Sequence, residues 1–343
     1  MKSFFLNKIL LFPYYTVLKL RHWCYDNGVF KSYRFDVPII CIGNVSVGGT
    51  GKTPHAELLV KELSKDKRVA VLSRGYGRKS KGFNLVDANG TAEEFGDEPL
   101  QIKTKFPEII VAVDANRVRG IRSLMALQEE VRPQVIIMDD AFQHRRVVPQ
   151  TNIVLIDHDK PPYCDNLLPF GRLRDLPEQI KRADYIIVTK CPPEVSDDAI
   201  LSWTQKLGVL PHQKLLFSKI NYGEPEAIFE DGDKRYTYSR FVVLVTGIAN
   251  PKPLEYHLSD NYKIDKKVHY RDHYYYSESD AKTLNKLAER YPKAVIFTTE
   301  KDSQRLKNLK SFKEETKRKF FYFPIEVSIL NENWNLTVKS LVK

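Results

Sequence analysis

Cysteine is scarce in this chain: four in 343 residues, at Cys24, Cys41, Cys164 and Cys191, with no CxxC pair and no framework spacing. That scatter argues against a disulfide scaffold and a structural zinc site, and it points to a reducing compartment. A long apolar run is missing too. Residues 4–20 are rich in Phe, Leu, Ile and Tyr, but Lys8, Pro13 and Lys19 interrupt them. The longest uncharged run, 9–18, is shorter than the roughly 20 residues that cross a bilayer. No small-x-small cleavage site follows; Arg21-His22-Trp23 does, so a signal peptide is not expected. An interfacial helix, with basic residues at its edges and Trp23 and tyrosines at headgroup depth, fits this composition better. Internal repeats and low-complexity tracts are also absent.

What is present is an ordinary globular composition, 42% hydrophobic and 28% charged, in a chain long enough for two domains. The formal net charge of +11 favours an anionic partner: nucleic acid, a lipid surface or a phosphorylated substrate. Short apolar, β-branched runs recur at 39–43, 68–73, 108–113, 135–138, 152–156 and 185–189. Continuous rather than alternating apolar strands imply burial on both faces, hence a parallel sheet with covering helices. Residues 55–65 and 116–130 read as two of those helices. Beyond about Leu216 the texture changes. Runs at 217–222 and 235–238 flank a polar turn, as in a hairpin, and a second α/β unit follows from 241. The expected organisation is an interface helix (1–25), a core domain (26–216), a two-stranded linker (217–240) and a smaller α/β domain (241–343).

The most specific motif is Ser46-Val47-Gly48-Gly49-Thr50-Gly51-Lys52-Thr53, directly after the first apolar run. A strand opening onto a Gly-rich turn that ends Gly-Lys-Thr is the context of a phosphate-binding P-loop. Backbone N–H groups there would cradle phosphate oxygens at a helix N-terminus. Lys52 would reach the β/γ-phosphates, and the Thr53 hydroxyl would help hold Mg²⁺. The generic first glycine is Ser46 here. The run 135–138 ends in Asp139-Asp140, the form of a Walker B element, with Asp139 expected on the metal. Asp140 would orient the metal's water shell or position the acceptor. A guanine-reading segment is not found. Thr189-Lys190-Cys191-Pro192 has Pro192 where an Asp is needed, and Thr299-Glu300-Lys301-Asp302 has its Lys one place late. ATP is therefore expected rather than GTP.

Three clusters suit an anionic acceptor: 73–78 with Arg74, 114–122 with Arg117 and Arg119, and Gln143-His144-Arg145-Arg146. Strand–loop junctions on one side of a parallel sheet converge in space, and arginine is the side chain for bidentate phosphate recognition. Gly96-Asp97-Glu98-Pro99 sets two acids beside a turn, a fair place for a general base. In the second domain His269 and His273 flank Asp272, in a stretch that reads as extended or looped.

These motifs together resemble one family, the tetraacyldisaccharide 4′-kinases, also called lipid A 4′-kinases. The matching runs are 43–54, 73–77, 96–99, Asp139-Asp140-x-Phe142-Gln143-His144, Leu168-Pro169-x-Gly171-x-x-Arg174, Asp272-His273 and 299–302, in order across nearly the whole chain. Only the tail after about Phe323 carries no matching motif. Ser46 departs from the generic P-loop but agrees with this family. The resemblance implies a P-loop NTPase-type α/β fold with a smaller C-terminal domain on a two-stranded linker. It implies ATP- and Mg²⁺-dependent phosphorylation of the 4′-hydroxyl of a tetraacyl glucosamine disaccharide 1-phosphate, the lipid A precursor, giving lipid IVA. It also implies a peripheral enzyme at the cytoplasmic face of the bacterial inner membrane, meeting an anionic membrane surface through its N-terminal helix. A monomer that binds no nucleic acid is expected. By motif matching Asp97 would take the hydroxyl proton, helped by His273, with Lys52 and Asp140 in the catalytic set. Arg74, Arg117, Gln143, His144 and Arg174 would hold the disaccharide and its 1-phosphate. The rival readings are a P-loop ATPase of the partitioning or metal-insertion type, acting on a protein or membrane partner, and a nucleic-acid-binding ATPase.

Overall fold

The computed structural model describes residues 2–272 and 274–342, with side chains from residue 12 onward; His273 lies outside the described residues. The chain divides into two compact units. The first comprises 1–90, 94–220 and 327–343, and the second 91–93 and 221–326.

The first unit is built on a nine-stranded sheet. In chain order its strands begin with β1 (Ile39–Gly43), β2 (Val69–Ser73), β3 (Asn84–Leu85) and β4 (Ile110–Val113). They continue with β5 (Val135–Met138), β6 (Thr151–Asp157), β7 (Tyr185–Thr189) and β8 (Lys214–Tyr222). The second unit supplies β9 (Glu226–Ala227), β10 (Phe241–Thr246), β11 (Lys263–His269), β12 (Val295–Thr299) and β13 (Phe320–Phe323). The chain then returns to the first sheet with β14 (Ile325–Ile329). The order in the large sheet is β14-β8-β7-β6-β1-β5-β2-β4-β3. Strand β1 runs parallel to both neighbours, Ile39 opposite Ile136 on β5 and Ile40 opposite Thr151 on β6. Strands β1, β2 and β5 are buried along their whole length, as continuous apolar runs demand.

Before its tail, the first unit holds the helices α1 (Lys2–Asp26), α2 (Lys52–Leu63), α4 (Asp97–Lys105), α5 (Arg117–Met125) and α6 (Asp197–Leu207), while α3 (Ala92–Phe95) is divided between the units. The connection from β1 through α2 leads to β2, whereas that from β5 leads to β6 on the opposite side of β1. Chain direction therefore switches at β1, where open α/β sheets bind ligands beyond their strand ends. The core runs through Leu72, Ile136, Met138, Phe142, Val154 and Ile186, all buried. Phe142 is 1% exposed beneath the loop after β5, and Arg182 lies over its ring at 4.2 Å.

The second unit carries a five-stranded sheet, β11-β10-β12-β13-β9, with α7 (Lys252–Ser259), α8 (Glu278–Arg290), α9 (Glu300–Leu306) and α10 (Glu314–Lys317). Here the Thr299-Glu300-Lys301-Asp302 motif acts as a clasp. The Asp302 carboxylate accepts from the Thr299 hydroxyl (2.6 Å) and from Gly247 N (2.9 Å), joining the end of β10 to the start of α9.

Three local expectations are corrected. Residues 235–238 are no hairpin strand: Lys234–Tyr238 is a 3₁₀ turn, started by Asp233, whose carboxylate accepts from Arg235 N at 3.1 Å. The strand beside β8 is instead β14. The tail does not stay with the second unit. Leu330 N donates to Phe217 O (2.8 Å), and α11 (Trp334–Ser340) packs against α2 in the first unit, burying Trp334 and Val338. Finally, Asp97 and Glu98 open helix α4 rather than flank a turn.

Candidate active site

Strand β1 delivers the chain to Asn44, which is fully buried, and its Nδ2 donates to the Thr50 hydroxyl at 2.8 Å, closing the loop on itself. The loop start is held by residues 172–174. Val47 N donates to Arg172 O (2.7 Å), and Arg174 N donates to Val45 O (2.9 Å). Thr189 on β7 donates its hydroxyl to Thr50 O at 3.0 Å. Gly48 and Gly51 have φ of 102° and 84°, which side-chain-bearing residues rarely adopt. Helix α2 then starts at Lys52 with no side-chain cap, so its first amides remain available for an anion. His55 fastens this first turn. Its Nδ1 lies 2.7 Å from Gly51 O and its Nε2 2.9 Å from the Ser218 hydroxyl. Burial pushes the ring down to about 4, so it is neutral near pH 7.

The two acids after β5 have different surroundings. Asp139 is buried; its Oδ2 accepts from the Ser73 hydroxyl at 3.3 Å, and its Oδ1 has no hydrogen-bond partner. Burial, then the charges of Glu98 and Asp140, push its carboxyl up to about 7 against Lys52 and Arg117. Asp140 is half-buried with φ 47°. Both of its oxygens take hydrogen bonds from Arg174, and Lys52 Nζ stands 3.8 Å away. Burial alone would raise Asp140, but Lys52, Arg174 and Arg117 outweigh it and hold the carboxyl below its ordinary range.

A cation fits at Asp139. A buried carboxylate with an unbonded oxygen is costly unless a positive charge satisfies it. Thr53 lies in the first turn of α2 with its side chain buried, and hydroxyl plus carboxylate is a hard-oxygen set suited to Mg²⁺. Among the described residues no group of three or more His, Cys, Asp or Glu is gathered for a metal.

Asp97, 7% exposed, begins α4 behind Gly96 at φ 91°. A Cβ on Gly96 would lie 3.1–3.2 Å from Tyr76 O and the Gly75 backbone, so only glycine lets α4 start this close to the loop after β2. Helix α4 is also tied to α2. Buried Glu57 accepts from Gln101 Nε2 at 2.8 Å and pairs with Lys105 Nζ at 2.8 Å.

The five residues expected to hold the acceptor divide into two kinds. Arg117 is 2% exposed and donates to Asp114 O (2.6 Å) and Asp139 O (3.2 Å). Gln143 Nε2 donates to Asn44 O at 2.7 Å, and Arg174 is engaged with Asp140 and Asn44 Oδ1. These three brace the P-loop and its acids. Arg74, by contrast, is exposed at the end of β2. His144 is half-buried with Nε2 unpartnered, pushed down to about 4 by burial and then by Arg117, Arg146, Arg21 and Arg74. Sequence reasoning did not single out Asn44, His55 or Glu57. Asn44 lies inside the run that carried the resemblance, but nothing local marks His55 or Glu57, whose partners Ser218 and Gln101 are far along the chain.

Comparison with known proteins adds an independent line. The family model described as tetraacyldisaccharide-1-P 4′-kinase matches residues 4–343. The tetraacyldisaccharide 4′-kinase of Parabacteroides distasonis is 42% identical over 331 residues, covering 94% of this chain and 90% of that protein. That of Flavobacterium johnsoniae is 40% identical over 342 residues, covering 97% and 96%. A crystal structure described as the "apo" form of LpxK from Aquifex aeolicus in complex with ATP superposes with a TM-score of 0.73 at 26% identity, covering 98% and 99%.

Proposed function

The chain belongs to the tetraacyldisaccharide-1-phosphate 4′-kinase family, and from that premise we propose how its own residues carry the reaction. The protein is a lipid A 4′-kinase: it moves the γ-phosphoryl group of ATP to the 4′-hydroxyl of a tetraacyl glucosamine disaccharide 1-phosphate. The observation that carries this reading is a family match over residues 4–343 that includes a braced P-loop and two acids of opposite commitment.

Backbone amides of 46–53 hold the β- and γ-phosphates, and Lys52 swings from Asp140 to the transferring group. Asp139 and Thr53 are the proposed Mg²⁺ ligands, because Asp140 is taken by Arg174 while Asp139 keeps an unbonded oxygen. Bound with ATP, the metal neutralises charge on the β- and γ-phosphates. Asp97 takes the proton of the 4′-hydroxyl. The freed oxygen bonds to the γ-phosphorus, the bond to the bridging oxygen breaks, and ADP departs. The motif match, with Asp97 buried at the start of α4, supports placing the base here. His273 assists as the partner that the resemblance implies. Arg74 and His144 receive the acceptor and its 1-phosphate, while Arg117, Gln143 and Arg174 keep the loop and Asp140 in place.

The acceptor carries acyl chains, so the enzyme works at a lipid surface. Helix α1 supplies the edge: Phe12, Val17, Leu20 and Trp23 are all more than half exposed along one side. No helix of the described residues is long and apolar enough to cross a membrane. We read the protein as a monomer lying peripherally on the cytoplasmic face of the inner membrane.

The test is transfer of radiolabel from γ-labelled ATP to the 1-phosphorylated disaccharide in detergent micelles. Label is expected in the lipid fraction. A folded, ATP-binding preparation that leaves the lipid unlabelled would overturn the assignment.

A further inference from the structure

Helix α1 has an inner face as well as an exposed edge. Tyr14, Tyr15, Leu18, Arg21, His22 and Tyr25 share it at helical spacing, and all are buried or half-buried. His22 is 3% exposed and Asp175 fully buried, with His22 Nε2 2.6 Å from Asp175 Oδ1. Arg145 donates to His22 Nδ1 at 3.1 Å, which leaves the Nε2–H for Asp175. Arg145 also pairs with Asp26, one turn further along α1, at 2.5 Å. Asp175 in turn accepts from Leu176 N at 2.9 Å and directly follows Arg174, the residue that holds both oxygens of Asp140. Tyr14 donates its hydroxyl to Arg174 O at 3.2 Å.

A second path runs in parallel. Arg21 donates to Gln143 O at 2.5 Å, Gln143 donates to Asn44 O at 2.7 Å, and Asn44 donates to the Thr50 hydroxyl inside the P-loop. Two short chains of hydrogen bonds thus start on one face of α1 and end at Asp140 and the P-loop.

We infer that His22 is a positioning residue for phosphoryl transfer: by holding Asp175 it sets Arg174 on Asp140, so the seating of α1 is felt at the phosphate site. The helix that meets lipid is then a working part of the nucleotide site, not only an anchor. A buried pair of this kind is sensitive to loss of one partner, because the other is left without its hydrogen bond. A small displacement of groups around transferring phosphate is costly in rate. The inference rests on the kinase reading and adds to it a route from α1 to the P-loop.

The experiment compares His22→Ala, His22→Gln, Trp23→Asp and Arg174→Ala in the full chain, each checked for folding. His22→Ala is expected to lower kcat by about 10- to 100-fold, with sedimentation on phosphatidylglycerol-containing vesicles unchanged. His22→Gln, which still presents an N–H toward Asp175, should recover most of that loss. Trp23→Asp should do the reverse, weakening sedimentation while leaving amide exchange at 46–53 and 172–176 as in wild type. His22→Ala and Arg174→Ala should be strongly non-additive, since both act through Asp140. Amide exchange gives a readout independent of turnover: residues 46–53 and 172–176 should exchange faster in His22→Ala than in wild type, without nucleotide. Should His22→Ala fail to fold, Asp175→Asn takes its place with the same expectations. Wild-type kcat in the folded variant, additive losses, or faster exchange confined to α1 would each overturn the inference. If the wild-type protein itself leaves the lipid unlabelled, the kinase reading fails instead, and the exchange data still decide the coupling.

Discussion

At the scale of single residues, the two acids after β5 show how neighbours divide labour between like groups. Asp140 spends its charge on Arg174 and Lys52, whereas Asp139 keeps an unbonded, buried oxygen. Replacing Lys52 or Asp97 by Ala should each lower kcat by at least ~10²-fold, the scale at which electrostatic and base groups act. Steady-state kinetics with the micellar acceptor checks this, and wild-type turnover in Asp97→Ala would place the base elsewhere. A pH dependence follows from His144. Burial and the surrounding arginines depress it from 6.5 to about 4, so the folded state binds this proton less well than the unfolded chain. Its contribution to stability is complete above about 6.5 and is lost as pH falls toward about 4. Urea unfolding across that window should show stability falling with acid, and a shallower fall in His144→Asn. An unchanged slope in the variant would mean the ring is not held neutral. The residue types of this site were legible in the sequence, but their commitments were not. Arg117, Gln143 and Arg174 read as substrate ligands because arginine and glutamine suit phosphate and sugar. In the folded chain part of their donors serve backbone carbonyls and Asp140, while Nε of Arg117 and of Arg174 has no partner.

At the scale of elements, α2 and α4 are spaced by Glu57. With Glu57→Ala, Gln101 and Lys105 lose a buried acceptor, which should cost about 2 kcal/mol of stability. Glu57→Gln, still able to accept from Gln101, should lose less. Chemical denaturation measures both, and equal losses would mean the clasp depends on its ion pair rather than on the Gln101 hydrogen bond. The strands of the parallel core were readable because burial on both faces writes an uninterrupted apolar run. Strands β3 and β14 were not, since short edge strands owe their form to a neighbour rather than to their own composition. Helix α4 was hidden for a different reason. Its first turn holds Asp97, Glu98 and Pro99, residues that also favour turns, and the distinction rests on how Gly96 packs against Gly75 and Tyr76.

At the scale of the whole molecule, the proposed lipid contact would combine a net charge of +11 with the apolar edge on α1. Binding to anionic vesicles should exceed binding to neutral ones and weaken as salt rises from 0.05 to ~0.5 M, over which the Debye length shrinks severalfold. Vesicle sedimentation checks this; equal binding to both surfaces at low salt would leave only the apolar contribution.

The sequence by itself determined the residue types on offer: a Gly-rich P-loop at 46–53, two acids at a strand end, and arginines after neighbouring strands. Those features are local, written within a few consecutive residues. Only the tertiary structure decided which groups remain available, because that choice is made by partners far along the chain. Arg174 lies 34 residues from Asp140 and 130 from Asn44, and it engages both. Without that distant guanidinium, nothing in the folded pair would set the carboxylate already engaged, Asp140, apart from the one that keeps an unbonded oxygen, Asp139.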